Sequence, residues 1–213
     1  MRVIIIITFV ALAAFGQEQP NVLPLARSSP IARDPGTLLT PLTVEEKAMR
    51  AVRNTFGVRG LLNRAVTAGF NQYSDYPEEW PQGVEGYGMR YGSRMGKLAA
   101  RNFIMFGTDV AFGLDQRYIR CECTSVGSRT GYALRRLFVA RKDGGGERFN
   151  VSQMAGAYVT PMLTDQWYPD RLNTTSHHFR SGTSYLGWQA VGNITREFWP
   201  EIRRLIPLKR FKK

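Results

Sequence analysis

The chain is poor in the residues that usually carry chemistry. It has two cysteines and two histidines in 213 residues. The cysteines share one Cys-x-Cys, Cys121 and Cys123, and the histidines are adjacent, His177 and His178. A Cys or Ser nucleophile needs a base beside it, and nothing in the order of residues sets His177 next to one. Acids are scarce: 17 Asp and Glu oppose 29 Lys and Arg, for a net charge of +12. Lysine is itself rare, 6 residues against 23 arginines. Beyond the N-terminus no apolar run is long enough to span a bilayer. The stretch 102–114 is short and contains Asp109, and 154–163 is shorter still.

What is present narrows the class. Hydrophobic residues make up 43%, which excludes wholesale disorder. The positive excess favours anionic partners: lipid head groups, acidic glycans or nucleic acid. Arg-rich codon usage explains the Arg/Lys ratio but not the net charge. Met1-Arg2, the apolar run Val3–Ala14 and the small residues Ala14 and Gly16 have the layout of a secretory signal peptide cleaved after Gly16. The alternative, an uncleaved anchor helix, needs a longer apolar run. Export to the periplasm or the outer-membrane periphery points away from nucleic acid. It leaves anionic lipid, envelope glycan or an envelope protein as partner, with peripheral membrane contact and no cofactor.

Residues 17–42 carry Pro20, Pro24, Pro30, Pro35 and Pro41 and read as an extended linker. Thr43 and Glu46 form a capping-box pattern that predicts a helix over 44–56, with Met49, Val52 and Phe56 inward. A second helix is expected over 58–68 with Leu61, Leu62, Ala65 and Val66 as its apolar face. Residues 71–82 read as a loop, and a long helix follows from 84 to 102 or 112. Residues 133–140 fit a helix, or a strand of a hairpin near 134–153. Ser152 is placed to cap a helix to Asp165, broken or kinked at Pro161, and Asn173 to cap one through Glu197. The tail 207–213 is basic. Trp80-Pro81, Trp167-Tyr168-Pro169 and Trp199-Pro200 each set an aromatic before a proline and beside an acid, which reads as helix termination. The expectation is a mostly α, compact multi-helix domain over 43–206 with glycine-mediated close helix packing.

The segment 85–102 has the clearest pattern. Gly88, Gly92 and Gly96 recur every fourth residue, and Arg90, Arg94, Lys97 and Arg101 step by four, three and four. On a helix the glycines form one face and the cations another. The glycines are expected to lie against protein, since three of them cost about 3 kcal/mol against Ala and packing must offset that. The cations are expected to face water or an anion such as lipid phosphate. The small-xxx-small register of membrane helices is denied its apolar context by these same cations.

The run EGYGMRYGSRMGKLAARNFIMFGTDVAFGLDQRY, with WYPDRLN and EFWPEI downstream, resembles a group of uncharacterised exported acidobacterial-type proteins. The resemblance covers residues 69–206. It implies export and a helical build, and it transfers no activity or site.

Two further chemistries have candidate residues. Glu78, Glu79, Glu85, Asp109 and Asp115 could supply a carboxylate pair for cell-wall glycan hydrolysis. Cys121, Cys123, His177 and His178 have the ligand count for zinc or copper, although adjacent histidines on a helix point about 100° apart. In an oxidising compartment the two cysteines can instead close a small disulfide loop. The reading with most support is a non-catalytic, exported envelope protein that associates with an anionic membrane surface or an envelope assembly.

Overall fold

The computed structural model describes residues 40–205, so the expected signal peptide, most of the expected linker and the basic tail lie outside the described residues. Helix α1 (Val44–Phe56) opens on the capping box: Thr43 Oγ1 accepts from the Glu46 backbone N–H at 3.2 Å, and Glu46 Oε2 accepts from the Thr43 backbone N–H at 2.8 Å. Helix α2 (Val58–Tyr73) follows after Gly57 and runs one turn beyond its expected end. Helix α3 (Gly83–Phe112) has 30 residues, a rod of about 45 Å at 1.5 Å per residue. It stops at Gly113, whose φ of +60° is the left-handed conformation that glycine adopts without a Cβ clash.

A three-stranded antiparallel sheet follows, in the order β1 (Leu114–Asp115), β2 (Val139–Lys142), β3 (Glu147–Phe149). Leu114 pairs with Lys142, and Val139 with Phe149. Helix α4 (Val126–Phe138) leads directly into β2, so both readings of 133–140 hold, each for part of the segment. Helix α5 (Val151–Thr164) is capped by Asn150 rather than Ser152, with Asn150 Oδ1 accepting from the Gln153 N–H at 3.0 Å. It continues through Pro161 instead of breaking there. Helix α6 (Thr175–Glu197) is capped by Thr174 rather than Asn173, and α7 (Trp199–Leu205) closes the described chain. The three aromatic-proline pairs all fall at element boundaries.

α3 is the axis. It packs against α1, α2 and α5, while α6 packs against α4 and α5. Close contacts are indeed glycine-mediated, but at other glycines than the register suggests. A Cβ on Gly156 would meet Met105 at 2.7 Å, and one on Gly182 would meet the Ala157 carbonyl at 2.8 Å. Gly96 lies against Trp167 at 3.3 Å. Gly88 and Gly92 are exposed, with no atom within 4 Å of a built Cβ. The expectation that they pack against protein is therefore corrected.

The bundle is also reversed in polarity. Along α1 the inward positions are Lys47, Ala51 and Thr55, and Met49, Val52 and Phe56 face out, opposite to the sequence expectation. Along α2 Val58, Leu62, Val66, Phe70 and Tyr73 form an outward stripe, 47–86% exposed. The α5 interior carries Ser152, Thr160 and Thr164. Helices are joined across it by side-chain hydrogen bonds, Asn102 to Thr55 Oγ1 and Thr108 Oγ1 to Ser152 Oγ, both 2.9 Å. The apolar core is small and centred on Leu114, Ala133, Leu137, Ala140 and Ala157.

Candidate functional site

The cation row of α3 turns inward, and its members meet different fates. Arg90 is fully buried. Its Nε donates to the Tyr76 carbonyl at 2.9 Å, Nη1 to Gln72 Oε1 at 2.7 Å and the Pro81 carbonyl at 2.8 Å, and Nη2 to the Pro77 carbonyl at 2.9 Å. A guanidinium offers five donors in a planar fork, and here they gather the carbonyls of the loop between α2 and α3. Arg90 is a structural plug, not the lipid contact expected of it. Gly86 completes the arrangement, since a Cβ there would sit 1.6 Å from the Pro81 carbonyl oxygen.

Lys97 is likewise consumed: its Nζ lies 2.6 Å from Oδ1 of the buried Asp165. Burial lowers its pKa, and Asp165 acts against that shift. Arg101 stacks on the Tyr185 ring at 3.8 Å and donates to the Gly156 carbonyl at 3.3 Å. Arg94 has no carboxylate within ion-pair distance among the described residues, and its Nε is buried without a hydrogen-bond partner. The same holds for Arg64 on α2. Burial lowers the Arg64 pKa to about 10, and repulsion from Arg101 and Arg94 adds to the shift. Three guanidiniums thus share one region between α2, α3 and α6 without a carboxylate on any of them.

Next to them lies a cavity of about 170 Å³. Tyr185 belongs to its wall and carries Arg101 on its ring. Lys47 and Arg50 reach it from α1, Arg136 from α4, Gln153 from α5 and Arg196 from α6. Asp109 is the one carboxylate of this lining. Lys47 Nζ also holds Asp143 at 2.5 Å, and Arg136 meets Glu147 at 3.3 Å. Asp109 Oδ1 accepts from Gln116 Nε2 at 2.9 Å. Burial pushes its pKa up to about 6, against the opposing pull of the Gln116 and Ser152 hydrogen bonds and of Lys47 and Arg50. Gln153 is 4% exposed, and its Nε2 has no hydrogen-bond partner.

The five candidate acids are spread over the fold, and of them only Asp109 lines this space. Glu78, Glu79 and Glu85 are exposed near the N-terminus of α3, and Glu79 is bound to Arg171. Asp109 lies 24 residues beyond Glu85 on the same helix, about 36 Å away. Asp115 is not in the cavity lining but is held by a residue that is: it accepts from the Arg117 backbone N–H at 2.9 Å and from the Arg117 guanidinium at 2.7 Å.

The metal candidates also separate. Cys121 and Cys123 form a disulfide. The Cys121 N–H donates to the buried Glu197 carboxylate at the C-terminal end of α6. Glu197 also accepts from Tyr118 Oη at 2.9 Å and Arg129 Nε at 3.2 Å. Burial, then the Glu197 hydrogen bond, raises the Tyr118 pKa. His177 and His178 lie at the opposite end of α6, near Asp165 at 3.9 and 4.0 Å. About 30 Å of helix separates the two pairs. No cluster of three or more metal-ligating side chains occurs among the described residues.

Sequence reasoning found Asp109 but missed Arg50, Gln153 and Arg64. A usable signal existed: Ser152, Gln153, Thr160 and Thr164 are polar residues set in a mostly apolar helix, and Lys47, Ala51 and Thr55 repeat every fourth residue. Both patterns mark a polar interior. No family model, curated protein or solved structure matches the chain.

Proposed function

We propose that this is an exported, non-catalytic envelope protein that lies on an anionic membrane surface through the outward apolar faces of α1 and α2. The observation that carries the reading is the α2 stripe Val58, Leu62, Val66, Phe70 and Tyr73, opposite a polar interior. Water gives no reason to expose such a stripe; an acyl-chain boundary does. Burial of a Leu- or Phe-sized side chain contributes about 1.5–3 kcal/mol, so the exposed parts of these five amount to roughly 5 kcal/mol of transfer energy at the lower coefficient. The helix contacts inside the bundle, small residues with hydrogen bonds between helices, are of the kind lipid-facing bundles use. No described helix is long and apolar enough to cross a bilayer, which favours an interfacial position. The net charge of +12 adds attraction to anionic head groups. The cation row of α3 takes no part in that contact.

The test is co-sedimentation with phosphatidylglycerol-containing vesicles and with pure phosphatidylcholine vesicles at low and moderate salt. Wild type is expected to pellet with the anionic vesicles. Leu62→Glu/Phe70→Glu should fold normally, because both side chains face out, and bind at least tenfold more weakly. Equal pelleting by the variant, or no preference for anionic lipid by wild type, would refute the reading.

A further inference from the structure

We propose that the cavity between α1, α3, α5 and α6 is a binding site for a phosphate group, either free phosphate or a phosphomonoester head group. This site is separate from the outward stripe and does not depend on it.

Four observations converge. First, the wall is rich in cations, Lys47, Arg50, Arg117, Arg136 and Arg196, and Asp109 is its one carboxylate; Asp143, Asp115 and Glu147 pair with Lys47, Arg117 and Arg136 from outside the lining. Arg50 has no carboxylate within ion-pair distance among the described residues. Second, Gln153 is 96% buried in that wall with Nε2 donating to nothing. A buried amide without a partner costs about 1–3 kcal/mol, and an oxyanion in the cavity would accept from it. Third, Arg64, Arg94 and Arg101 stand beyond Tyr185 without carboxylates, so the positive field extends past the wall. None of the three lines the cavity, so an anion bound there would act on them through that field and not by contact. Fourth, the donors arrive from α1, α4, α5 and α6. A tetrahedral oxyanion offers acceptor oxygens in that many directions, whereas a carboxylate offers two in one plane. The volume, about 170 Å³, is that of roughly five or six liquid waters. It suits a phosphate group and excludes a polymer.

Asp109 is the one wall group that repels such a ligand. Lys47 and Arg50 face it from α1, Gln116 from the segment after β1 and Ser152 from α5.

The experiment uses the full chain, with melting and calorimetric titration against sodium phosphate, sodium chloride at equal ionic strength, and dihexanoyl phosphatidic acid below its micelle concentration. A ligand at tenfold its Kd should raise Tm by about 2–6 °C. A rise with phosphate assigns the site to the free oxyanion. A rise with the lipid alone assigns it to a head group, and either supports the proposal. No rise with either probe beyond chloride overturns it. Arg50→Met and Gln153→Leu should each weaken binding at least tenfold, while Arg180→Met on the exposed side of α6 should not. Gln153→Leu removes an unpartnered amide and should fold at least as well as wild type. Wild-type affinity in both variants also overturns the proposal. The two readings fail separately: Leu62→Glu/Phe70→Glu should keep phosphate binding, and Arg50→Met should keep vesicle binding.

Discussion

Arg90→Met and Gly92→Leu should have opposite outcomes to those the sequence suggests. Arg90 donates to the carbonyls of Tyr76, Pro77 and Pro81 and to Gln72 Oε1, and it is 1% exposed. Methionine keeps much of the volume and removes every donor. Each buried acceptor left without a partner costs about 1–3 kcal/mol. The loop edge at Pro81 is exposed, so water recovers part of the loss. Three acceptors at the lower end and one rehydrated give about 3–5 kcal/mol, a large fraction of a typical 5–15 kcal/mol stability. Arg90→Lys offers three donors from one point and should recover less than half. At Gly92, which is exposed, no atom lies within 4 Å of a built Cβ, so a side chain there starts in open space and gains helix propensity of about 0.5–1 kcal/mol. Urea unfolding followed by circular dichroism measures both. The local prediction is sharper: in Arg90→Met, limited proteolysis should cut first between residues 74 and 82. A loss below 1 kcal/mol for Arg90→Met, or a severe loss for Gly92→Leu, would refute the orientation assigned to α3.

Gly86→Ala should lose about 3 kcal/mol or more by thermal melting, because its Cβ would overlap the Pro81 carbonyl at 1.6 Å and the loop must move. Asp109 has a folded pKa of about 6, raised by burial from an ordinary value near 4. Its contribution to stability is therefore present below pH 4 and lost as pH rises through 6. Asp109→Asn should gain about 1–2 kcal/mol over wild type at pH 7.5 and little at pH 4, as measured by urea unfolding; a gain independent of pH would count against this. Glu197→Leu leaves Tyr118, Cys121 and Arg129 without their shared acceptor and should cost about 3–5 kcal/mol. A change in Tm under 2 °C would contradict that.

Local signals were legible in the chain, and the direction each helix faces was not. Thr43 and Glu46 announce the start of α1 because both partners of the capping box lie within four residues. The apolar face Leu61, Leu62, Ala65 and Val66 announces α2 for a similar reason, although Leu62 and Val66 turn out to face outward. Periodicity identifies two faces of a helix, however, and the rule that the apolar one turns inward assumes water outside. Here the interior is built from Lys47, Thr55, Ser152, Thr160 and Asp165, so the rule inverts. Arg90 could not be foreseen as buried, since its partners come from a loop that folds back over α3. The separation of Cys121 from His177 depends on Cys121 bonding Glu197 at the far end of α6, a pairing that sequence order does not give. The cavity has contributions from positions 47, 50, 109, 136, 153 and 196, and no local spacing links them.

The inverted polarity also sets how stability should vary with temperature. The heat capacity gained on unfolding comes from newly exposed apolar surface and is reduced by newly exposed polar surface. An ordinary domain gains about 12–15 cal/mol/K per residue. In this bundle much of the apolar surface of α1 and α2 is already outside, and much of the buried surface released is polar, beside a small apolar core. The increment per residue should therefore be well below that range, and the stability curve broad and flat, with little cold destabilisation above freezing. Docking the outer stripe against acyl chains would restore the missing apolar burial, so the curve should steepen when the protein is bound.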